Sequence, residues 1–104
     1  MLSSNKMIKI VYRVVVKPNR IEEFQRLATT VLVLEAKKLK GCKLFSIFQS
    51  LDEPKEFIFY ELWERENDIH SYKDRLIEIL GNPNPGEEFP AHLSDFFEED
   101  EDII

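Results

Sequence analysis

The stretch "EFIFYELWEREN", Glu56 to Asn67, threads a carboxylate, Glu61, through an apolar run two residues before the only tryptophan, Trp63. Side chains alternate along an extended strand, so Phe57, Phe59, Glu61 and Trp63 share one face and Ile58, Tyr60 and Leu62 the other. The first face has the make-up of a pocket wall. Phe57, Phe59 and Trp63 offer ring surface to a flat molecule, and Glu61 offers one polar group to orient it. A carboxyl held away from water resists ionisation, so a buried Glu61 would have a raised pKa and could act as a base near neutrality. A structural ion pair with Arg13 or Lys9 across the sheet edge would leave the same trace. Nine residues after Trp63, Tyr72 could hydrogen-bond a ligand oxygen. Trp63 and Tyr72 also fit the plainer description of core aromatics.

Other chemistries lack their residues. Three glycines, at 41, 81 and 86, form no phosphate-binding loop. His70, His92 and Cys42 have no metal-ligand spacing. Ser71 adjoins His70, but helical neighbours point in different directions and make no catalytic pair. The net charge of −6 comes from Asp95, Glu98, Glu99, Asp100, Glu101 and Asp102, which leave a body balanced at 14 acidic and 14 basic residues. A neutral body with an acidic end, expected to be solvated, lacks the basic footprint of a nucleic-acid binder.

The 104 residues suffice for one small domain, and 43% hydrophobic with 33% charged residues describes a globular chain. Runs such as "VLVL" and "FIFY" are too short to cross a bilayer. "MLSSNKM" is no signal peptide; residues 1–6 are expected to be a loose arm before a domain over 7–94, with 95–104 an acidic tail. A lone cysteine suits a reducing compartment, so the expected location is cytoplasmic.

Three strands and two helices must position the candidate residues. "MIKIVYRVVVKP" reads as a first strand. Asn19 with Glu22 reads as a capping box, opening a helix whose apolar positions are Phe24, Leu27, Ala28, Val31 and Leu34, with Gly41 as its C′ residue. "CKLFSIFQS" and "EFIFYELW", joined by a polar turn, form a hairpin. A second helix begins at Asn67, with Ile69, Tyr72, Leu76, Ile79 and Leu80 on one face. "NPNPGEEFP" is loop, "AHLSDFFEED" weakly helical, and "DII" at most a scrap of strand. The order β-α-β-β-α predicts an α+β, ferredoxin-like antiparallel sheet with both helices on one face and a weak or atypical fourth strand. Both strand faces are apolar, with Val11 and Val15 opposite Tyr12 and Val14, and Phe45 and Ile47 opposite Leu44 and Phe48; two helices cover only one of them, which predicts a homodimer packed sheet against sheet.

"KPNRIEEF" followed by "KGCKLFSIFQSLDEPKEFIFYELWERENDIHSY" resembles the antibiotic-biosynthesis-monooxygenase-like family of the dimeric α+β barrel superfamily, over roughly Lys6 to Leu80. The Pro18 approach to the first helix, the Gly41-Cys42 start of the second strand, the Asp-Glu-Pro turn and Glu61-x-Trp63 carry the likeness. The resemblance implies a pocket lined by the strand-end Trp63 and by second-helix residues, here Ile69 and Tyr72. It also implies oxidation of a small aromatic or quinol-type molecule by molecular oxygen, without flavin, haem or metal. Such a site binds an electron-rich substrate in a dry pocket, helps remove a proton and stabilises the anion. Tyr72 stands where relatives commonly carry a His, and Phe59 where polyketide oxidisers place an Asn. His70 is two residues from Tyr72, about 200° around a helix, and sits on a flank, so haem ligation is the least supported chemistry. A small-metabolite-binding or isomerising member of the fold, and a non-catalytic dimeric binding module, are the alternatives.

Overall fold

The computed structural model describes residues 7–98 and the backbone of Asp102 and Ile103. The expected arm, residues 1–6, and the acids Glu99, Asp100 and Glu101 lie outside the described residues. Strands β1 (Ile8–Val15), β2 (Cys42–Gln49), β3 (Glu56–Trp63) and β4 (Asp102–Ile103) form one antiparallel sheet in the order β2-β3-β1-β4. This is the strand order of the ferredoxin-like fold. Its fourth strand is short, as expected, but the ladder along β1 does not end with it. Lys17 N–H donates to the Phe96 carbonyl at 2.8 Å, Glu98 N–H donates to Val15 at 2.7 Å, and Val16 bridges Phe97. The apolar residues of this stretch follow the backbone inward: Phe96 is buried and Phe97 packs on the core.

One continuous helix covers residues 21–37, in three parts: α1 (Ile21–Leu27), a π-helical turn (Ala28–Leu32) and α2 (Val33–Lys37). The π turn is the main departure from the expected apolar pattern. Val33 N–H reaches back five residues to the Ala28 carbonyl, and the inserted residue shifts the phase of everything after it. Leu32 and Ala36 are therefore buried, whereas Leu34, expected on the core stripe, is exposed. Thr29 and Thr30 supply a cause. The Thr29 hydroxyl donates to the Gln25 and Arg26 carbonyls at 3.1 and 3.2 Å, and Thr30 donates to Arg26 at 2.7 Å. Such back-bonding competes for the carbonyls that regular helical N–H groups would use.

Both expected caps of this helix are corrected. Asn19 lies in a 3-10 turn, Pro18–Arg20, and Ile21 follows Arg20 with no side-chain cap. Arg20 instead bonds Glu23 at 3.1 Å and lies 3.9 Å over the Phe96 ring. Gly41 is not left-handed; the described glycines with positive φ are Gly81 (97°) and Gly86 (84°). A Cβ at Gly41 would lie 1.8 Å from Asp68 Oδ2, so a larger residue there would displace that carboxylate.

Helix α3 (Glu66–Leu80) buries Tyr72 and Leu76, with Ile69 and Leu80 at the margin, while Ile79, expected on the same face, is exposed. A loop with Pro83, Pro85 and Gly86 leads to α4 (Ala91–Ser94). The helices cover one sheet face. On the other, Phe48 is 57% and Leu44 40% exposed, and Val11, Val15, Ile58, Tyr60 and Leu62 are half-buried. Among the described residues no helix is long and apolar enough to cross a membrane.

Candidate functional site

Strand β3 is central, paired to β1 and β2, and its strict alternation buries Phe57, Phe59, Glu61 and Trp63 against the helices. Glu61 is 5% exposed and stands between Ile10 on β1 and Phe45 on β2. A buried carboxyl with no donor costs about 1–3 kcal/mol. Here the Trp63 indole Nε1–H donates to Glu61 Oε1 at 2.8 Å. The expected pairing of Glu61 with Arg13 or Lys9 is corrected by the same alternation. Arg13 and Lys9 lie on the other parity of β1, where Arg13 reaches Glu56 across the outer face at 2.7 Å.

Tyr72 enters this layer from α3, its ring 5.5 Å from Trp63 and 5.3 Å from Phe45. Its hydroxyl donates to the Leu32 carbonyl at 2.8 Å in a buried bond, so the π turn meets α3 at this point. Burial foremost, then the nearby Glu61 carboxylate, pushes the Tyr72 hydroxyl far above the ordinary phenol range. Burial, with Glu61 again second, also raises the Cys42 thiol, which agrees with an inert cysteine.

Beside Phe59 and Tyr72 lies a cleft lined also by Tyr12, Leu32, Leu76, Phe89, Leu93 and Phe97. The cleft is tight, with room for about one water molecule. Tyr12 stacks on Phe59 at 4.7 Å and 13°. Of the residues singled out in the sequence, Tyr72 and Phe59 reach the cleft; Trp63, Glu61, Phe57 and Ile69 do not line it. The walls missed by sequence reasoning have two origins. Leu32 depends on the π phase shift, for which the Thr29-Thr30 pair is the available signal. Phe89, Leu93 and Phe97 belong to the segment after α3, whose Pro-Gly loop concealed its role as a wall. Lys73 holds that wall to α3, bonding Glu88 at 2.5 Å and lying 5.7 Å from the Phe89 ring.

A ferredoxin-like sheet with an aromatic inner face and a narrow cleft beneath its helices defines a small α+β domain. Residues 7–75 match the family described as Antibiotic biosynthesis monooxygenase, and the chain belongs to that family. Solved structures share the fold. A Nitrosomonas europaea protein named for antibiotic biosynthesis monooxygenase is 20% identical, with TM-score 0.71, covering 100% of this chain and 91% of that one. A conserved protein from Methanosarcina mazei Go1 is 24% identical, with TM-score 0.70 and coverage of 97% and 91%. A Bacteroides thetaiotaomicron VPI-5482 protein, also named for antibiotic biosynthesis monooxygenase, is 14% identical, with TM-score 0.72 and coverage of 98% and 89%. No curated protein matches the chain.

The raised Tyr72 pKa carries a pH prediction. An unfolded chain ionises tyrosine near pH 10, while the folded chain keeps the Tyr72 proton. The unfolded state then binds fewer protons, so this contribution is intact below about pH 10 and is lost above it, at up to about 1.4 kcal/mol per pH unit. Urea unfolding above about pH 10 should show a steeper loss of stability for the native chain than for Tyr72→Phe. Equal slopes would mean that Tyr72 titrates as an exposed phenol.

Proposed function

We propose that the protein is a cofactor-independent monooxygenase acting on a small aromatic or quinol-type molecule, with molecular oxygen as co-substrate. The observation that carries this reading is the cleft wall. Tyr12, Phe59, Tyr72, Phe89 and Phe97 set five aromatic rings around a narrow space in a domain of the monooxygenase family. Flat apolar ligands suit such walls. Oxidation of an anthrol illustrates the chemistry. Two hydrogens leave the substrate, one oxygen atom becomes a ring carbonyl and the other leaves as water, with all electrons supplied by the substrate. In this reading Tyr72 and Phe59 touch the ring. Trp63 stands behind Tyr72, and Glu61, bonded to the indole, holds Trp63 in place; Phe57 and Ile69 complete the supporting layer.

The same proposal includes a cytoplasmic homodimer. The uncovered sheet face, with Phe48 and Leu44 standing in solvent, fits a second copy better than water. Sedimentation should give twice the chain mass, and Phe48→Glu should shift the equilibrium to monomer. A native chain that sediments as a monomer at micromolar concentration would contradict the dimer.

One observation favours a second reading, a dimeric binding module without catalysis: Trp63 and Glu61 are packed away from the cleft. Oxygen uptake by metal-stripped protein with a panel of hydroquinones and anthrols separates the two. The oxygenase reading expects uptake well above the spontaneous rate, lost in Tyr72→Phe and Trp63→Ala. Full activity in Tyr72→Phe would remove Tyr72 from the site, and uptake at the spontaneous rate across the panel would favour the binding module.

A further inference from the structure

The cleft walls that follow α3 are held in unequal ways. Phe97 sits on the ladder along β1, where Lys17 N–H donates to the Phe96 carbonyl, Glu98 N–H donates to Val15 and Val16 bridges Phe97. Leu93 precedes this ladder in α4, and its carbonyl accepts from Phe96 N–H at 3.1 Å. Phe89 has no such staple. It ends an exposed loop, residues 84–88, that closes on its own base: Ala91 N–H donates to the Asn82 carbonyl at 3.1 Å, and Pro83 bridges Pro90. Within the loop, Glu87 N–H donates to the Asn84 carbonyl at 3.0 Å and the Asn84 side-chain amide donates to Glu87 Oε1 at 3.3 Å. All these bonds are internal, so the loop can lift from the body without breaking them. Among the described residues, the hydrogen bond that ties 84–89 to the rest of the chain runs from Lys73 on α3 to Glu88. The same ammonium lies 5.7 Å from the Phe89 ring. Lys73 foremost, with His70 adding to it, holds the Glu88 carboxyl below the usual carboxylate range.

We infer that residues 84–89 form a flap over the cleft, with Phe89 as its plug and Lys73 as its latch. With the flap down, the cleft has room for about one water molecule, so the structure shows the closed state. The latch is easily released, because the Glu88 side chain is 73% exposed and an ion pair in water is worth little. Phe97 and Leu93 stay in place when it opens. Lys73 is then a positioning residue: it does not line the cleft, and it sets how often the cleft is open. The consequence for ligand entry rests on the cleft being the ligand site, whereas the flap itself does not.

Fluorine NMR of the full chain carrying fluorinated phenylalanine tests the flap without a ligand. Line broadening by a neutral, soluble nitroxide reports how far each ring is open to solvent. In Lys73→Met, which keeps the aliphatic stem and loses the charge, broadening at the buried Phe59 on the cleft wall should rise about 1.5- to 5-fold, the span of one exposed ion pair. Phe89 should rise with it, and Phe24, buried away from the cleft, should not. Glu88→Gln should act in the same way, and Lys73→Arg, which retains the charge, should keep the native pattern. Salt at about 1 M, where the screening length is about 3 Å, should reproduce the Lys73→Met pattern in the native chain. Unchanged broadening at Phe89 in both Lys73→Met and Glu88→Gln would overturn the inference. So would a rise shared by Phe24, which would mean general loosening, or an open Phe89 over a still-closed Phe59, since Phe89 would then plug nothing. Because no ligand is used, the flap can fail with the oxygenase reading intact, and the reverse.

Discussion

The structure turns on the parity of one strand. Strand β3 has partners on both edges, and its side-chain alternation admits no exception over eight residues. A single-residue slip would send Phe57, Phe59 and Trp63 into the outer layer and bring Ile58, Tyr60 and Leu62 inside. It would also separate Glu61 from the core position that makes its bond to Trp63 meaningful. The carboxyl and the indole sit two residues apart on one strand, on the same face. The bond between them therefore needs no long-range closure, only the correct face inward. That is what the apolar strand gains from its Glu: a large indole needs a buried acceptor for its N–H, and Glu61 provides one from the adjacent same-face position.

Around this layer the helices are fitted with less regularity. The long helix could not present Phe24, Ala28, Leu32 and Ala36 together as an ideal α-helix, because steps of four residues drift around the axis at 3.6 residues per turn. A π turn takes up the drift. It also delivers the Leu32 carbonyl to Tyr72. Packing and polarity meet here, since the turn that keeps the helix on the sheet also accepts the Tyr72 hydroxyl bond that joins the two helices.

The sheet, the hairpin and the inner face of β3 were legible in the sequence because alternation is a local signal carried by every residue. So was the existence of an apolar outer face, although which residues form it, Phe48 and Leu44 among them, was not. Helix phase was legible up to Val31, which packs against the core. Beyond it, Leu34 was expected inside and Leu32 was overlooked, because a period of 3.6 cannot anticipate an inserted residue. Gly41 was read as a C′ glycine, but it is not left-handed, and its near neighbour, the Asp68 carboxylate, comes from 27 residues away in sequence. Of the eight residues that line the cleft, Phe59 and Tyr72 were read as site residues, from strand and helix periodicity. Phe89, Leu93 and Phe97 follow a loop, and only the three-dimensional course of the chain brings them over Tyr12 and Phe59.

The central claim is that the cleft between Phe59, Tyr72 and the segment after α3 is the place where this domain receives its ligand. Chemical-shift mapping of the isotope-labelled protein with a neutral ring compound tests it most directly, before any chemistry is assumed. The account predicts saturable shifts at Leu32, Phe59, Tyr72, Leu76 and Leu93, with Phe48 and Tyr60 on the outer sheet face unmoved. Shifts confined to that outer face, or none at concentrations that saturate the ring compound in water, would contradict it.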